Sequence, residues 1–415
     1  MSYDEGERSR RRRRRSSRSS AAQPLEDDNL LSEILLRLPP DPSSLPRASL
    51  VSKRWLGLIS DPGFSRRFLL HHRRNPPLLG FFDLFNFKPA MDPPNRVPDG
   101  YFFLRLDREN GGGIFMPMGS RHGLLLIYQL ARYQLLVWDP FNVDLHRLAV
   151  PPEFDRLKAP FKGAVFRAAG DIQHFRVVLV STETDEQQHT RAIARVYSSE
   201  AAIWGDRIST PLPSKLPTKS HMYFTIGVLV GHSLYWLFND TSAKTLLLDG
   251  ILEFDLEKQI LAVKPVPVGI PKENMCRFQV MRAEGGGLGI FFLSNFSAQL
   301  WKVETDCDGA ASWVLGRTVE LYKLLSIDSR KKRKWRQSIV GFAEYNNVLL
   351  LWTPTDLFMI QLEPLQFKKV PKTKKWAHYH PFESVYAAGN SICLYILVGT
   401  SIGGGHDGAK LLHNT

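Results

Sequence analysis

No apolar run in the 415 residues approaches the ~18 to 20 needed to cross a bilayer as a helix; the longest include Gly287–Leu293 and Ile392–Val398. No transmembrane helix is expected, and the opening, Met1–Glu7 followed by arginines, lacks the apolar core of a secretory signal. The expectation is a chain that stays in a reducing compartment. Cysteine is scarce: Cys276, Cys307 and Cys393 lie far apart with no Cys-x-x-Cys. That excludes a disulfide framework or a cysteine-based zinc cluster and leaves ordinary thiols.

The common catalytic signatures are missing as well. There is no Gly-x-Ser-x-Gly, no Gly-Lys-Ser/Thr phosphate loop and no His-Glu-x-x-His. The glycine triplets at 111–113, 285–287 and 403–405 have no lysine after them and read as turns. Asp306-Cys307-Asp308-Gly309 opens like a calcium loop, but its twelfth position is Arg317 where a bidentate glutamate is required. His378 and His380 would share one face of a strand, without further ligands at motif spacing. No catalytic residue, cofactor or metal is therefore expected, and the chain reads as a non-enzyme.

What is abundant is positive charge, +13 in all. Residues 1–20 contribute +5, the run Arg330–Arg336 contributes +6 and Lys368–Lys375 contribute +5, so everything else carries −3. The folded body is close to neutral. Residues 1–23 are an Arg/Ser-rich arm too poor in apolar side chains to fold, and serve as a nuclear address or a solvated extension. The block around Trp335 reads as a solvated loop or second nuclear address in preference to a phosphate-binding surface.

From Leu25 to Phe68 the periodicity is helical. Leu30, Leu31, Ile34, Leu35 and Leu38 follow one-face spacing behind Glu26, Asp27 and Asp28, carboxylates that suit a helix start. Pro39-Pro40 stops that helix, Ser43 and Ser44 can cap a second, and Leu45, Ala48, Val51 and Trp55 recur before the break at Ser60-Asp61-Pro62-Gly63. Such a small three-helix unit is near the lower limit for folding alone.

After Pro76-Pro77 the texture is short β-type runs. A strand after Gly or Asn, a second ending in an acidic turn and a third ending near proline or a basic residue recur near His122–Pro152, Gly231–Pro267, Gly285–Leu321 and Asn347–Pro371, with Phe175–Asp206 filling the gap. The period, roughly 50 to 60 residues, is near that of propeller blades. About six blades are expected, with a β-sandwich pair as the rival. Trp138, Trp236, Trp301, Trp313 and Trp352 fall in these strands as core, and Ser391–Val398 is expected to pair near Leu78–Phe85 and close the ring.

Leu25–Pro39 followed by Ser44–Trp55 resembles an F-box, and Ile59–Phe68 with Pro76–Phe82 is similar to a large group of plant F-box proteins. Val340–Glu344 and Tyr379–Tyr386 look like the β-rich associated domain of that group. The family opens with Leu-Pro where this chain has Leu25-Glu26, and commonly has cysteine where this chain has Ser52. The resemblance implies a substrate-recognition subunit of an SCF-type ubiquitin ligase, working in the nucleus, the cytoplasm or both. Its box docks on a Skp-type adaptor, and through it on cullin and RING subunits, while its β domain captures a protein target. The expected adaptor-binding set is Leu25, Leu30, Ile34, Leu35, Leu38, Pro39, Leu45, Leu50, Val51 and Trp55, some as interface and some as core. The expected layout is a tail over 1–23, the F-box over 24–72, a propeller-like domain over 73–400 and a tail over 401–415. A nucleic-acid-associated protein acting through the basic arm is the alternative.

Overall fold

The computed structural model describes residues 27–84, 86–104, 114–154, 161–168, 170–187, 189–212, 222–240, 247–271, 277–294, 297–308, 310–325, 337–371 and 378–386. The basic arm, Leu25, Arg330–Arg336, Lys372–Lys375 and Ser391–Val398 lie outside them.

Four helices come first: α1 (Asp28–Leu36), α2 (Ser44–Ser49), α3 (Lys53–Ser60) and α4 (Pro62–His72). The Asp27 carboxylate caps α1 by accepting from the backbone N–H groups of Asn29 (2.7 Å) and Leu30 (3.2 Å). Three helices were expected. The Asp-Pro-Gly break is itself the start of the fourth, because Asp61 accepts from Phe64 N–H at 2.8 Å and Pro62 occupies the first helical position, where no N–H is needed. Ser52 caps α3 by accepting from Trp55 N–H at 3.2 Å. Ser43 does not cap α2; its hydroxyl donates to Asn95 Oδ1 at 2.6 Å, a tie to the β domain.

The β domain is a six-bladed propeller. Blade one runs Phe115–Arg121, Leu124–Gln129, Gln134–Asp139 and Asp144–Ala149 from axis to rim. Blade two runs Lys162–Phe166, Arg176–Thr184 and Thr190–Ser198, with Ile203–Trp204 and Ile208–Pro211 sharing its outer edge. Blade three has an inner edge in two pieces, Met222–Phe224 and Val228–Val230, followed by Ser233–Asp240, Leu247–Asp255 and Ile260–Lys264. Blade four runs Phe278–Arg282, Leu288–Leu293, Ser297–Thr305 and Ala311–Glu320; blade five runs Ser338–Ala343, Val348–Trp352, Leu357–Gln361 and Gln366–Val370. Blade six joins the two ends of the domain: Tyr379–Glu383 innermost, then Leu78–Asp83, then Asn86–Pro89. The ring thus closes on the expected first strand, with Tyr379–Glu383 as its partner; the expected pairing of Ser391–Val398 lies outside the described residues.

Radial packing explains why the second strands read as unbroken apolar runs: both faces are covered. Along blade one, Leu126, Tyr128, Leu135 and Val137 pack toward blade two with Val177 and Leu179, whereas Leu125, Ile127, Leu136 and Trp138 pack toward blade six with Phe82 and Phe382. The period of two sends successive residues to opposite neighbours. Outer strands such as Gln366–Val370 remain mostly exposed.

Closure leaves little room at the axis. A Cβ added to Gly341 in blade five would lie 2.6 Å from the carbonyl oxygen of Tyr379 in blade six. Gly341→Ala is therefore expected to force these inner strands apart and to cost about 1–3 kcal/mol, the range for overpacking. Thermal melting checks this against Gly57→Ala, which adds a Cβ to open space.

Candidate functional site

The helical unit sorts its apolar residues cleanly. Leu31, Leu35, Leu36, Leu45, Ala48, Ile59, Phe64 and Phe68 form one buried cluster together with Val385 and Tyr386, which follow the closing strand of the ring. The helices therefore share their core with the propeller. Pointing away from that core, Leu30 is 50% exposed, Ile34 42%, Leu50 67%, Val51 62% and Leu56 36%. Leu30 and Ile34 are one helical turn apart on α1; Leu50 and Val51 lie where α2 hands over to α3, and Leu56 is on α3. Scattered single apolar side chains need no explanation, but five on a unit of about 45 residues are the raw material of a docking face.

Of the ten positions expected to meet an adaptor, Leu30, Ile34, Pro39, Leu50 and Val51 are exposed, Leu38 and Trp55 are half-buried against the shared core, and Leu35 and Leu45 are inside it. Leu25 is not among the described residues. Leu56 escaped the sequence reading, although it extends the exposed set onto α3. Arg54 Nε donates to Asp28 Oδ1 at 2.7 Å, tying α3 to α1, and Arg67 pairs with Glu33, tying α4 to α1. These ion pairs are exposed and worth at most about 1 kcal/mol each. They set helix orientation while the shared core supplies the stability.

A buried polar network fastens the helices to the face of the ring where the inner strands end. Arg73, just past α4, donates through Nη1 to the carbonyls of Ala168 (2.7 Å) and Asp171 (2.8 Å), and through Nη2 to the Arg167 carbonyl and to His122 Nδ1 (2.8 Å). His122 Nδ1 also accepts from Arg167 N–H at 2.9 Å, so its proton resides on Nε2, which donates to the Tyr345 hydroxyl at 2.7 Å. Burial and then the neighbouring Arg73, Arg121 and Arg167 hold His122 well below its ordinary pKa, so it stays neutral. Beneath it, the Arg121 guanidinium pairs with Glu344 (Nη2 to Oε2 2.7 Å) and donates to the carbonyls of Gly227 (2.9 Å) and Val165 (3.3 Å). Glu344 also accepts from Leu229 N–H at 2.9 Å. One ion pair thus touches blades one, two, three and five.

Glu383 completes the junction. Its carboxylate accepts from the backbone N–H groups of Tyr345 (3.1 Å) and Asn346 (2.8 Å) and from Asn346 Nδ2 (2.8 Å), which also donates to the Pro76 carbonyl in the segment between helices and ring. Burial, reinforced by the nearby Glu344 charge, outweighs these hydrogen bonds and pushes its pKa up from 4.5 to about 7. Between those values the folded protein holds a proton that the unfolded chain has released. The stability from this group is therefore complete below about pH 4.5 and is lost as pH rises through about 7. Burial drives His378 and His380 the other way, to about 4 and about 3, so their contribution has the opposite slope below pH 6.5. Glu383→Gln keeps an acceptor for Asn346 and isolates the first effect. Urea unfolding from pH 5 to 8 is expected to show wild type losing stability relative to the variant by roughly 2–3 kcal/mol across the range.

Among the described residues no group of three or more His, Cys, Asp or Glu side chains could hold a metal, and no helix is long and apolar enough to cross a membrane. The histidine pair lies at the start of the innermost strand of blade six, with His380 buried.

Residues 27–67 match the family model of the F-box domain. The helical unit is an F-box. The match begins at the Asp27 cap and ends within α4, so it spans the exposed leucines and most of the shared core. Beyond the F-box, the chain is similar in structure to the WD40 domain of SCAP from fission yeast (10% identity, TM-score 0.31, covering 63% of this chain and 55% of that one). It is also similar to the calcium-binding protein regucalcin from Agrobacterium tumefaciens strain C58 (11%, 0.34, 63% and 75%), and to the β-propeller domain of Cps50 (Swd1) from Myceliophteria thermophila (10%, 0.31, 64% and 90%). At these identities and TM-scores none of them bears on the assignment, which stands on the strand order. No curated protein matches the chain.

Proposed function

We propose that this chain is the substrate-recognition subunit of an SCF-type ubiquitin ligase. An F-box joined to a propeller fits that role in general, and the observation that carries the reading here is the exposed set Leu30, Ile34, Leu50, Val51 and Leu56 on an F-box whose other face is buried against the ring. A Skp-type adaptor covers that set by taking the apolar helix face into a groove, with cullin and RING subunits beyond it. The propeller captures the target protein. Proximity is the chain's contribution; bond-making belongs to the rest of the ligase. In this reading the protein works in the nucleus, the cytoplasm or both.

Co-expression of the full chain with a Skp-type adaptor tests it. The expected result is a stoichiometric complex by size-exclusion chromatography that survives 0.5 M salt, because an apolar contact is weakly screened. No complex at any salt concentration overturns the reading.

A further inference from the structure

We propose that Ser52 is a phosphorylation site whose modification switches adaptor docking off. The partner it controls comes from the ligase reading, on which this inference rests; the control itself is additional.

Ser52 stands apart from the other hydroxyls of the F-box. Residues 27–72 hold seven serines and neither threonine nor tyrosine. Ser32, Ser43 and Ser49 are buried, while Ser44 and Ser65 are half-buried within α2 and α4. Of the two that are exposed, Ser60 is followed by Asp61 and Pro62, whereas Ser52 is followed by Lys53 and Arg54, both exposed. Ser52 also lies outside any helix, where α2 hands over to α3, with an extended backbone (φ −162°, ψ 161°). A protein kinase takes its acceptor residue in extended form, and a basic-directed kinase holds the neighbouring cationic side chains with its own carboxylates. An exposed hydroxyl on extended chain beside a lysine and an arginine meets both requirements.

The step is a phosphoryl transfer with ATP as co-substrate. Ser52 Oγ attacks the γ-phosphorus; the new O–P bond forms as the bond from that phosphorus to the β-phosphate oxygen breaks. ADP leaves, and the hydroxyl proton passes to the base of the kinase.

The fold tolerates the modification, whereas docking does not. Ser52 Oγ accepts from Trp55 N–H at 3.2 Å, and the phosphate oxygens are stronger acceptors at the same place, so α3 stays capped. The docking face is a different environment. Leu50 and Val51, 67% and 62% exposed, directly precede Ser52, and Leu56 follows on the first turns of α3. A phosphoserine among them carries about −1.5 to −2 charges. To seat those three side chains, the adaptor groove must also strip water from that charge, and in an apolar groove nothing repays the cost.

The test has two arms. In the first, the full chain, alone or in complex with a purified Skp-type adaptor, is incubated with a basic-directed serine kinase and ATP, and the phosphate is mapped by mass spectrometry. In the second, adaptor affinity and thermal melting are measured for the unmodified full chain, the full chain carrying phosphoserine at position 52, and Ser52→Ala. The expected result is phosphate on Ser52 in the free chain and none there in the complex. The phosphoserine chain is expected to bind the adaptor at least about a hundredfold more weakly, with its melting temperature kept, while Ser52→Ala binds like the unmodified chain. Undiminished binding by the phosphoserine chain overturns the proposal, and so does a free chain that takes no phosphate on Ser52. An unmodified chain that binds no adaptor is a separate outcome: it overturns the ligase reading, and this proposal with it.

Discussion

Leu30→Asp with Ile34→Asp is expected to abolish adaptor binding while leaving the melting temperature within a few degrees of wild type. Both side chains are about half exposed, so the folded chain draws little stability from them. Covering each in a partner groove is worth roughly 1–2 kcal/mol, less than the ~1.5–3 for burial from full exposure. Burying two uncompensated carboxylates there costs several kcal/mol more. Together these predict a loss of affinity of at least about a thousandfold, since ~1.4 kcal/mol is a factor of ten. Leu35→Asp separates interface from core: Leu35 is fully buried, so that variant is expected to unfold the F-box and lose binding for a different reason. Equal melting temperatures for the double aspartate variant and wild type, with adaptor binding intact, would remove α1 from the docking face. Isothermal titration calorimetry beside thermal melting reads both quantities.

The second large effect lies in the ring. Arg121→Met leaves Glu344 as a buried charge without its partner and orphans the Gly227 and Val165 carbonyls. Removing one member of a buried pair typically costs about 3–5 kcal/mol. At roughly 2–4 °C per kcal/mol for a domain of this size, the melting temperature is expected to fall by about 6–20 °C. Combining Arg121→Met with Glu344→Leu removes the stranded charge and should recover part of that loss. Recovery stays incomplete, because Leu229 N–H and the two carbonyls remain without partners. If the double variant is no more stable than Arg121→Met alone, the pair does not act as a unit. Differential scanning calorimetry on the three forms decides.

What could be read in advance divides along a physical line. Local periodicity was legible: the one-face spacing Leu31, Leu35 marked α1, and strand runs such as Leu124–Tyr128 marked the second strand of a blade, so the F-box and the count of about six blades both emerged. Tyr379–Glu383 stood out only through the family resemblance and not as the closing strand, because it mixes a histidine, a proline and a glutamate into five residues; its burial comes from its neighbours in the ring. The apolar run farther along was the more conspicuous candidate for closure. The junction was hidden for a related reason. Arg121 and Glu344 are 223 residues apart, and Arg73 reaches Ala168 across 95, so no spacing rule connects them. Exposure was illegible as well: Leu30 and Leu31 are adjacent residues of one type, yet one is half exposed and the other fully buried.

The two ends of the propeller meet in the blade that carries the F-box, and the residues just after the closing strand, Val385 and Tyr386, belong to the F-box core. A single break in the last blade therefore reaches both halves of the molecule. A chain cut short of Tyr379 would lose the seam of its ring and the wall behind its helices together. Ring closure and the wall of the F-box core thus depend on the same eight residues, 379–386.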